Sequence, residues 1–328
     1  MKKNIALVAG GYTGESVVSL NSAAQVEKNL DAFKYNVYKI IIDKENWYYK
    51  SADEKICVVD KNDFSIIINN EKISFDCVFI IIHGSPGEDG KLQGYFDLIG
   101  LPYTSCDTTT SALTMNKAYS KALVNHIENL NTAKSVQLFS EKEYSGEQLE
   151  SLLKLPLFIK PNNGGSSIGM SKVNSWTELS GAINKAFKEG SEVLIEEFIQ
   201  GREFTVGIYS SRGTIKVLPI TEIKTSKEFF DYEAKYTAGV TEEITPAVLS
   251  EEQTAKVGEI VKKTYQQLNC KGMVRVDFIL QSANQDFYFI EINTIPGQSA
   301  NSIIPQQVRA AGMSEQDFYG ELIEEALA

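Results

Sequence analysis

A chain of 328 residues, 43% hydrophobic and 23% charged, carries enough apolar material for two or three self-supporting units of about 100–150 residues each. Its formal charge of −11 excludes a nucleic-acid backbone as partner, since that requires a basic face, and no apolar run approaches the roughly 20 residues that cross a membrane. Cys57, Cys77, Cys106 and Cys270 lie far apart with no Cys-x-x-Cys pair, so they read as buried thiols in a reducing, cytoplasmic setting. The first residues run straight from a short apolar stretch into glycines, which is not the pattern of a secretion signal.

Short apolar runs alternating with helical spacing open the chain. Residues 5–9 read as a strand, Gly10-Gly11-Tyr12-Thr13-Gly14 as a turn, 19–30 as a helix, and 35–42 and 77–82 as further strands, which together predict a parallel α/β layer. The run 65–68, the turn Asn69-Asn70 and the run 72–75 predict a hairpin inserted in that layer. A second unit begins near Asp107, with helices over 108–129, a strand at 157–160, a glycine- and serine-rich loop at 162–169, an amphipathic helix at 176–187 ended by Gly190, and a strand at 192–196. Strands at 203–209, 215–220, 273–280 and 287–292 make a third unit. The aperiodic stretch 225–246 is long for a loop in a compact domain and reads as a lid.

Chemistry concentrates late in the chain. Arg275 and Asp277 on one strand, and Glu291 and Asn293 on the next, each share a face because strand side chains alternate. Pairing the two strands would gather two carboxylates and an amide oxygen, hard donors suited to magnesium with nucleotide phosphates. The small polar loop 294–302 that follows offers backbone N–H groups to an anion. The glycine loop after Lys160 can close over phosphates, although it lacks the Lys-Ser/Thr ending of a Walker loop. Its Gly165-Ser166-Ser167-Ile168-Gly169 matches a hydrolase elbow, but His83 and His126 both precede the serine, against the chain order an elbow requires. A dinucleotide reading of Gly10-Gly11-x-x-Gly14 fails on glycine spacing. His83 and the residues after it follow an apolar strand, where open parallel sheets place ligands.

Taken together these segments resemble the D-alanine–D-alanine ligase family of the ATP-grasp superfamily over nearly the whole chain. The resemblance rests on five motifs in order: His83-Gly84 to Gly87-Glu88-Asp89-Gly90-x-Leu92-Gln93-Gly94, Lys160-Pro161 to Gly165-Ser166-Ser167-Ile168-Gly169-Met170, Tyr232-Glu233-Ala234-Lys235-Tyr236, Arg275-x-Asp277, and Glu291-x-Asn293-Thr294-x-Pro296-Gly297. It implies an α/β ATP-grasp fold: an N-terminal parallel α/β substrate domain (1–106), a central subdomain (107–197) and a C-terminal catalytic domain (198–328), with ATP held between the last two.

The resemblance also implies roles. Lys117 and Lys160 would contact the nucleotide phosphates, Ser167 and Lys235 would also bind ATP, Glu196, Glu197 and Phe198 would line the adenine pocket, and Glu203 would bind the ribose. Asp277, Glu291 and Asn293 would hold two magnesium ions, with manganese an alternative. Ser166, Lys235, Tyr236, Arg275 and the Gly297 N–H would serve catalysis, and His83, Glu88, Ser302 and Ile303 the amino-acid substrates. The expected product is the D-alanyl-D-alanine dipeptide for peptidoglycan precursors, made through an acyl phosphate by a cytoplasmic homodimer. D-lactate, D-serine or another amino acid as substrate is the nearest alternative, and a nucleotide-binding pseudoenzyme the more distant one. One departure stands out: the acid expected two positions before Ser19-Leu20 to hold the first substrate's ammonium is Val17, leaving Glu15 or, by preference, Glu88 to replace it.

Overall fold

The computed structural model describes residues 1–141, 143–165, 168–225 and 241–328. The first unit starts with β1 (Lys3–Gly10), α1 (Ser16–Asn29) and β2 (Tyr35–Ile42), followed by β3 (Trp47–Lys50) and β4 (Ile56–Val58). Then come β5 (Ile66–Ile68), β6 (Glu71–Ile73), β7 (Cys77–Ile80) and α2 (Lys91–Ile99). The sheet order is β4-β3-β2-β1-β7, with β1 parallel to both β2 and β7. Residues 5–9 and 77–82 are buried throughout, which is why these runs are apolar without alternation: both faces of the central strands are covered. Ser19 ties the layer together, accepting the Gly10 N–H at 3.0 Å and donating to the Ile81 carbonyl at 2.7 Å.

Asn69 and Asn70 take the expected left-handed turn at φ 50° and 67° and join β5 to β6. That hairpin is a separate two-stranded sheet rather than an insertion in the parallel layer. Its apolar side, with Phe64 and Phe75, packs on the aromatic cluster of Trp47, Tyr95 and Phe96, so burial is satisfied without ladder hydrogen bonds to the larger sheet. Of the four cysteines, Cys57 is only half-buried, because β4 is the edge of the sheet; the other three are buried, and all four are free thiols.

The middle of the chain supplies α3 (Thr108–Met115), α4 (Lys117–Val124), β8 (Leu130–Thr132), β9 (Ser135–Leu138) and α5 (Gly146–Leu152). After these come β10 (Leu157–Pro161), β11 (Ser171–Val173), α6 (Leu179–Phe187) and β12 (Val193–Glu197). Asp107 and Asn116 cap α3 and α4 by accepting the N–H three residues on, which starts each helix where the sequence places a polar Asx residue. A four-stranded sheet, β11-β10-β12-β9, packs on α6.

The last part holds β13 (Gly201–Ser211), β14 (Thr214–Val217), β15 (Thr221–Thr225), β16 (Thr241–Ile244), α7 (Glu251–Gln267), β17 (Met273–Gln281) and β18 (Phe287–Asn293). It closes with α8 (Ile303–Ala310) and α9 (Glu315–Ala326). The sheet order is β16-β15-β13-β17-β18-β8, with β14 paired to β13. The strand expected at 215–220 stops at Val217, and β16 falls in the stretch read as aperiodic; the remainder of that expected lid, residues 226–240, lies outside the described residues.

The cores interleave along the chain. α9 packs on the first sheet, with Phe79 and Tyr319 edge to face at 5.8 Å, and α4 joins the core of the last sheet. Gly272, at φ 61°, marks where the linker before α3 crosses β17: a Cβ there would stand 2.0 Å from the Thr104 carbonyl oxygen. No flexible side chain can yield at that contact. Gly272→Ala is therefore expected to lower stability by about 2–3 kcal/mol, combining positive-φ strain with backbone displacement; urea unfolding beside the parent chain measures it, and an unchanged midpoint would refute the close approach.

Candidate active site

The carboxyl ends of β1 and β7 open toward the last sheet, and the loops that leave them meet the glycine loop after β10. The decisive geometry lies on β17 and β18. Arg275 pairs with Asn293 and Asp277 with Glu291 across the ladder, then the register slips so that Phe278 faces Phe289. Ile290 is the extra residue of this bulge. Without it Glu291 would share the face of Phe289, which is buried in the core; the bulge lets Phe287, Phe289 and Ile292 pack inward while Glu291 and Asn293 point into the crevice. On the other side β13 places Thr205 opposite Asp277 and Glu203 opposite Ile279, so Glu203 shares the Asp277 face.

Asp277 is held from three sides. Arg275 Nε donates to Oδ1 at 2.9 Å and Nη2 to Oδ2 at 2.8 Å, Thr205 Oγ1 donates to Oδ1 at 2.5 Å, and Asn293 Nδ2 donates to Oδ2 at 3.3 Å. Burial works against the Arg275 cation, but Asp277, with Glu291 and Glu88, keeps it firmly charged. Lys117 begins α4 and reaches the same crevice, 2.6 Å from the Gly164 carbonyl oxygen and 3.2 Å from Glu291 Oε2. Asp277, Glu291 and Asn293 thus present two carboxylates and an amide on neighbouring strands. That donor set suits a hard cation completing its shell with water and phosphate oxygens, so the residues fit magnesium.

Lys160 and Glu196 face each other from β10 and β12, with Lys160 Nζ 2.6 Å from Oε2, and Lys121 pairs with the other oxygen while donating to the Ala133 carbonyl at 2.8 Å. Burial alone would raise the Glu196 pKa; the charges of Lys160 and Lys121 overcome it and pull the carboxyl down to about 2. Burial pushes the Lys121 ammonium below its usual range, Glu196 opposing and Lys160 adding to it. Lys121 went unnoticed in the sequence, yet it lies four residues after Lys117 on one helix face, a readable signal. The neighbouring Glu197 accepts the Lys154 N–H at 3.0 Å, and the Phe198 ring lies under Lys172 Nζ at 4.0 Å.

On the first sheet's side, Glu88 accepts the Gly84 N–H at 2.7 Å and the Ile295 N–H at 3.3 Å, bridging two loops. Burial, reinforced by the charge of Glu15, raises its pKa to about 8. His83 is buried beside Ser22, and burial depresses its pKa. Ser302 stands at the start of α8 with Oγ 2.7 Å from that of Ser299, and a Cβ on Gly297 would meet it at 3.0 Å, so Gly297, Ser302 and Ile303 adjoin.

The expectation built on Val17 is corrected. Val17 is 63% exposed on the outer face of α1. Glu15, just before the helix, turns inward: Cβ atoms at Gly84 and Gly165 would each stand 2.9 Å from one of its carboxylate oxygens. The acid facing the crevice is therefore Glu15, with Glu88 beside it, while α1 turns Val17 to the outside. Ser166, Ser167, Lys235 and Tyr236 lie outside the described residues. One cleft is lined jointly by Glu88, Lys117, Gly165, Glu291 and Asn293.

Two family models match the chain, the D-ala D-ala ligase N-terminus over residues 4–106 and the D-ala D-ala ligase C-terminus over residues 126–324. The chain belongs to the D-alanine–D-alanine ligase family. Members of that family are ATP-dependent ligases with the ATP-grasp fold. A relative named D-alanine--D-alanine ligase from Flavobacterium johnsoniae is 48% identical, covering 99% of this chain and all of its own. Another of that name from Parabacteroides distasonis is 45% identical over 100% of this chain and 98% of its own. Among solved structures, the VanG D-Ala:D-Ser ligase of Enterococcus faecalis is similar with TM-score 0.88 and 32% identity, over 99% of this chain and 100% of that one. The D-alanine–D-alanine ligase of Bacillus anthracis complexed with ATP is similar with TM-score 0.78 and 29% identity, over 100% and 97%.

Removing the charge of Glu196 would leave Lys121 and Lys160 buried without a counter-ion. Glu196→Gln is expected to destabilise the protein by about 3 kcal/mol at neutral pH. Because the folded carboxyl titrates near 2 instead of its usual 4.5, its contribution is present above 4.5 and lost as the pH falls toward 2. Stability measured against pH should accordingly decline less steeply through that window in the variant; parallel acid limbs would refute the assignment.

Proposed function

We propose that this chain is a D-alanine–D-alanine ligase, forming the dipeptide from two D-alanines at the expense of ATP for peptidoglycan precursors, as a cytoplasmic homodimer. The observation that carries the reading is the convergence of an ammonium-sized acidic corner, Glu15 with Glu88, and a phosphate-binding set, Lys117 with Asp277, Glu291 and Asn293, on one crevice.

In this reading the first D-alanine places its ammonium at Glu15 and Glu88, which leaves its carboxylate facing the γ-phosphate of ATP. Attack by that carboxylate oxygen breaks the bond to the β-phosphate oxygen, and ADP departs. Lys117 and Lys160 lie at the ends of α4 and β10, where their charge stabilises the transferring phosphoryl group; for such a transfer, positioning and electrostatics are most of the catalysis. Asp277, Glu291 and Asn293 would hold two magnesium ions, or manganese, which when bound neutralise phosphate charge. Glu196 keeps Lys160 in place until nucleotide arrives, with Glu197 and Phe198 beside the adenine and Glu203 at the ribose.

The amine of the second D-alanine then attacks the acyl carbon. The C–N bond forms, the carbonyl electrons move onto oxygen, and Arg275 with the Gly297 N–H receive that oxyanion; its collapse expels phosphate. Ser302 and the Ile303 N–H at the amino end of α8 suit the second carboxylate, since a helix start offers free donors. By the same reading Ser166, Ser167, Lys235 and Tyr236 close the site and exclude water that would hydrolyse the intermediate. The likeness to a D-Ala:D-Ser ligase keeps a hydroxylated acceptor as the second reading.

Phosphate release with ATP and magnesium is expected to depend on D-alanine and to yield D-alanyl-D-alanine by mass; release indifferent to D-alanine, or a mixed product formed preferentially with D-serine, would overturn the first reading. Asp277→Ala should abolish that release with the fold retained, because it removes a metal ligand and strands Arg275. Glu15→Gln should raise KM for the first D-alanine by about tenfold or more, the loss of one charge-assisted contact, with KM for ATP unchanged; a normal D-alanine KM would remove Glu15 from the ammonium site.

A further inference from the structure

The loop that carries Gly297 is pinned from the first sheet's side, at both ends. At one end the Ile295 N–H donates to Glu88 Oε1 at 3.3 Å. At the other end the Gln298 N–H donates to Ser22 Oγ at 3.1 Å. The Gln298 side chain is buried as well, donating to the Pro296 carbonyl at 3.0 Å and accepting from Tyr319 Oη at 3.2 Å. Between these anchors the Gly297 N–H donates to none of the described residues.

Ser22 and His83 are linked. Ser22 is fully buried on α1, and its Oγ lies 3.3 Å from His83 Nε2. Ser22 Oγ accepts from the Gln298 N–H and shares a hydrogen bond with His83 Nε2, so it joins the loop to the imidazole. The ring stays neutral because burial and Arg275 disfavour its cation more than Glu15 favours it. Gln298 is thus tied through Ser22 to His83 on one side of Pro296 and Gly297, while Glu88 holds the Ile295 N–H on the other.

We propose that Ser22, acting with His83 through this linkage, is a positioning residue for the second chemical step: it aims the Gly297 N–H at the oxyanion formed when the amine attacks the acyl phosphate. Loops hold a donor direction only if both flanking peptides are fixed, and a small misaim of an oxyanion donor costs rate steeply. The first step does not use this donor, so phosphoryl transfer proceeds while the acyl phosphate waits for the amine and is lost to water. The proposal rests on the ligase reading above.

Ser22→Ala, and Ser22→Cys as a variant that keeps the buried volume, separate the two steps. With ATP, magnesium and D-alanine, both variants are expected to lose about ten- to a hundredfold in dipeptide formation. The ratio of phosphate released to dipeptide formed should rise above the parent's, with KM for ATP unchanged. His83→Gln added to Ser22→Ala should cost no more than the worse single change, since both break one linkage. Folded Ser22 variants with the parent's phosphate-to-dipeptide ratio, or additive losses in the double variant, would overturn the positioning role. A parent chain that makes no dipeptide from D-alanine would instead overturn the ligase reading itself.

Discussion

Charge brought out of water must be met by opposite charge or by hydrogen bonds, and the crevice between the sheets is organised by that demand. Asp277 sits in the fork of Arg275, Glu291 faces Lys117, and Glu196 faces Lys121 and Lys160. Apart from Arg275 and Asp277, which share β17, the pairs come from different elements and so hold parts of the fold together. Lys117 leads a helix packed on the last sheet, whereas its carbonyl partner Gly164 belongs to the loop after β10. The same groups that stabilise one another in the free protein are those a nucleotide and its metal would engage, exchanging protein ion pairs for phosphate ones. Such an arrangement explains how a site rich in like charges can wait, folded, for a polyanion.

The acidic corner differs in setting acid beside acid. Glu15 and Glu88 lie together, and the result is a Glu88 carboxyl pushed to about 8 by burial and by its neighbour. In the proposed reading an ammonium group would settle beside the two acids, and the positive half of the crevice would take the phosphates. This polarity is carried by the loops at the carboxyl ends of the first sheet on one side and by the paired strands β17 and β18 on the other.

Mechanical coupling follows the same route. α9 ends the chain yet packs on the first sheet, and its Tyr319 reaches Gln298 in the substrate loop. Ser22 and Glu88 reach that loop from the first sheet as well. The loop bearing Gly297 is therefore positioned by elements from both ends of the chain, which gives long-range packing a direct bearing on chemistry.

Much of this was legible in the residues. The unbroken apolar runs of β1 and β7 announced a covered parallel sheet, Asn69-Asn70 announced its turn, and Arg275-x-Asp277 with Glu291-x-Asn293 announced a shared acidic face, because strand periodicity and turn conformation are local properties. The motifs, in their order, sufficed to place the chain in its family. Tertiary structure alone decided the rest. The bulge at Ile290 depends on which residues the core can accommodate; the inward turn of Glu15 and the outward face of Val17 depend on how α1 lies against β1 and β7. The pairing of Lys121 with Glu196, and of Ser22 with Gln298 across most of the chain, joins residues that no local pattern connects. Those contacts are set by the packing of whole elements, and a linear sequence carries no direct measure of distance between its distant parts.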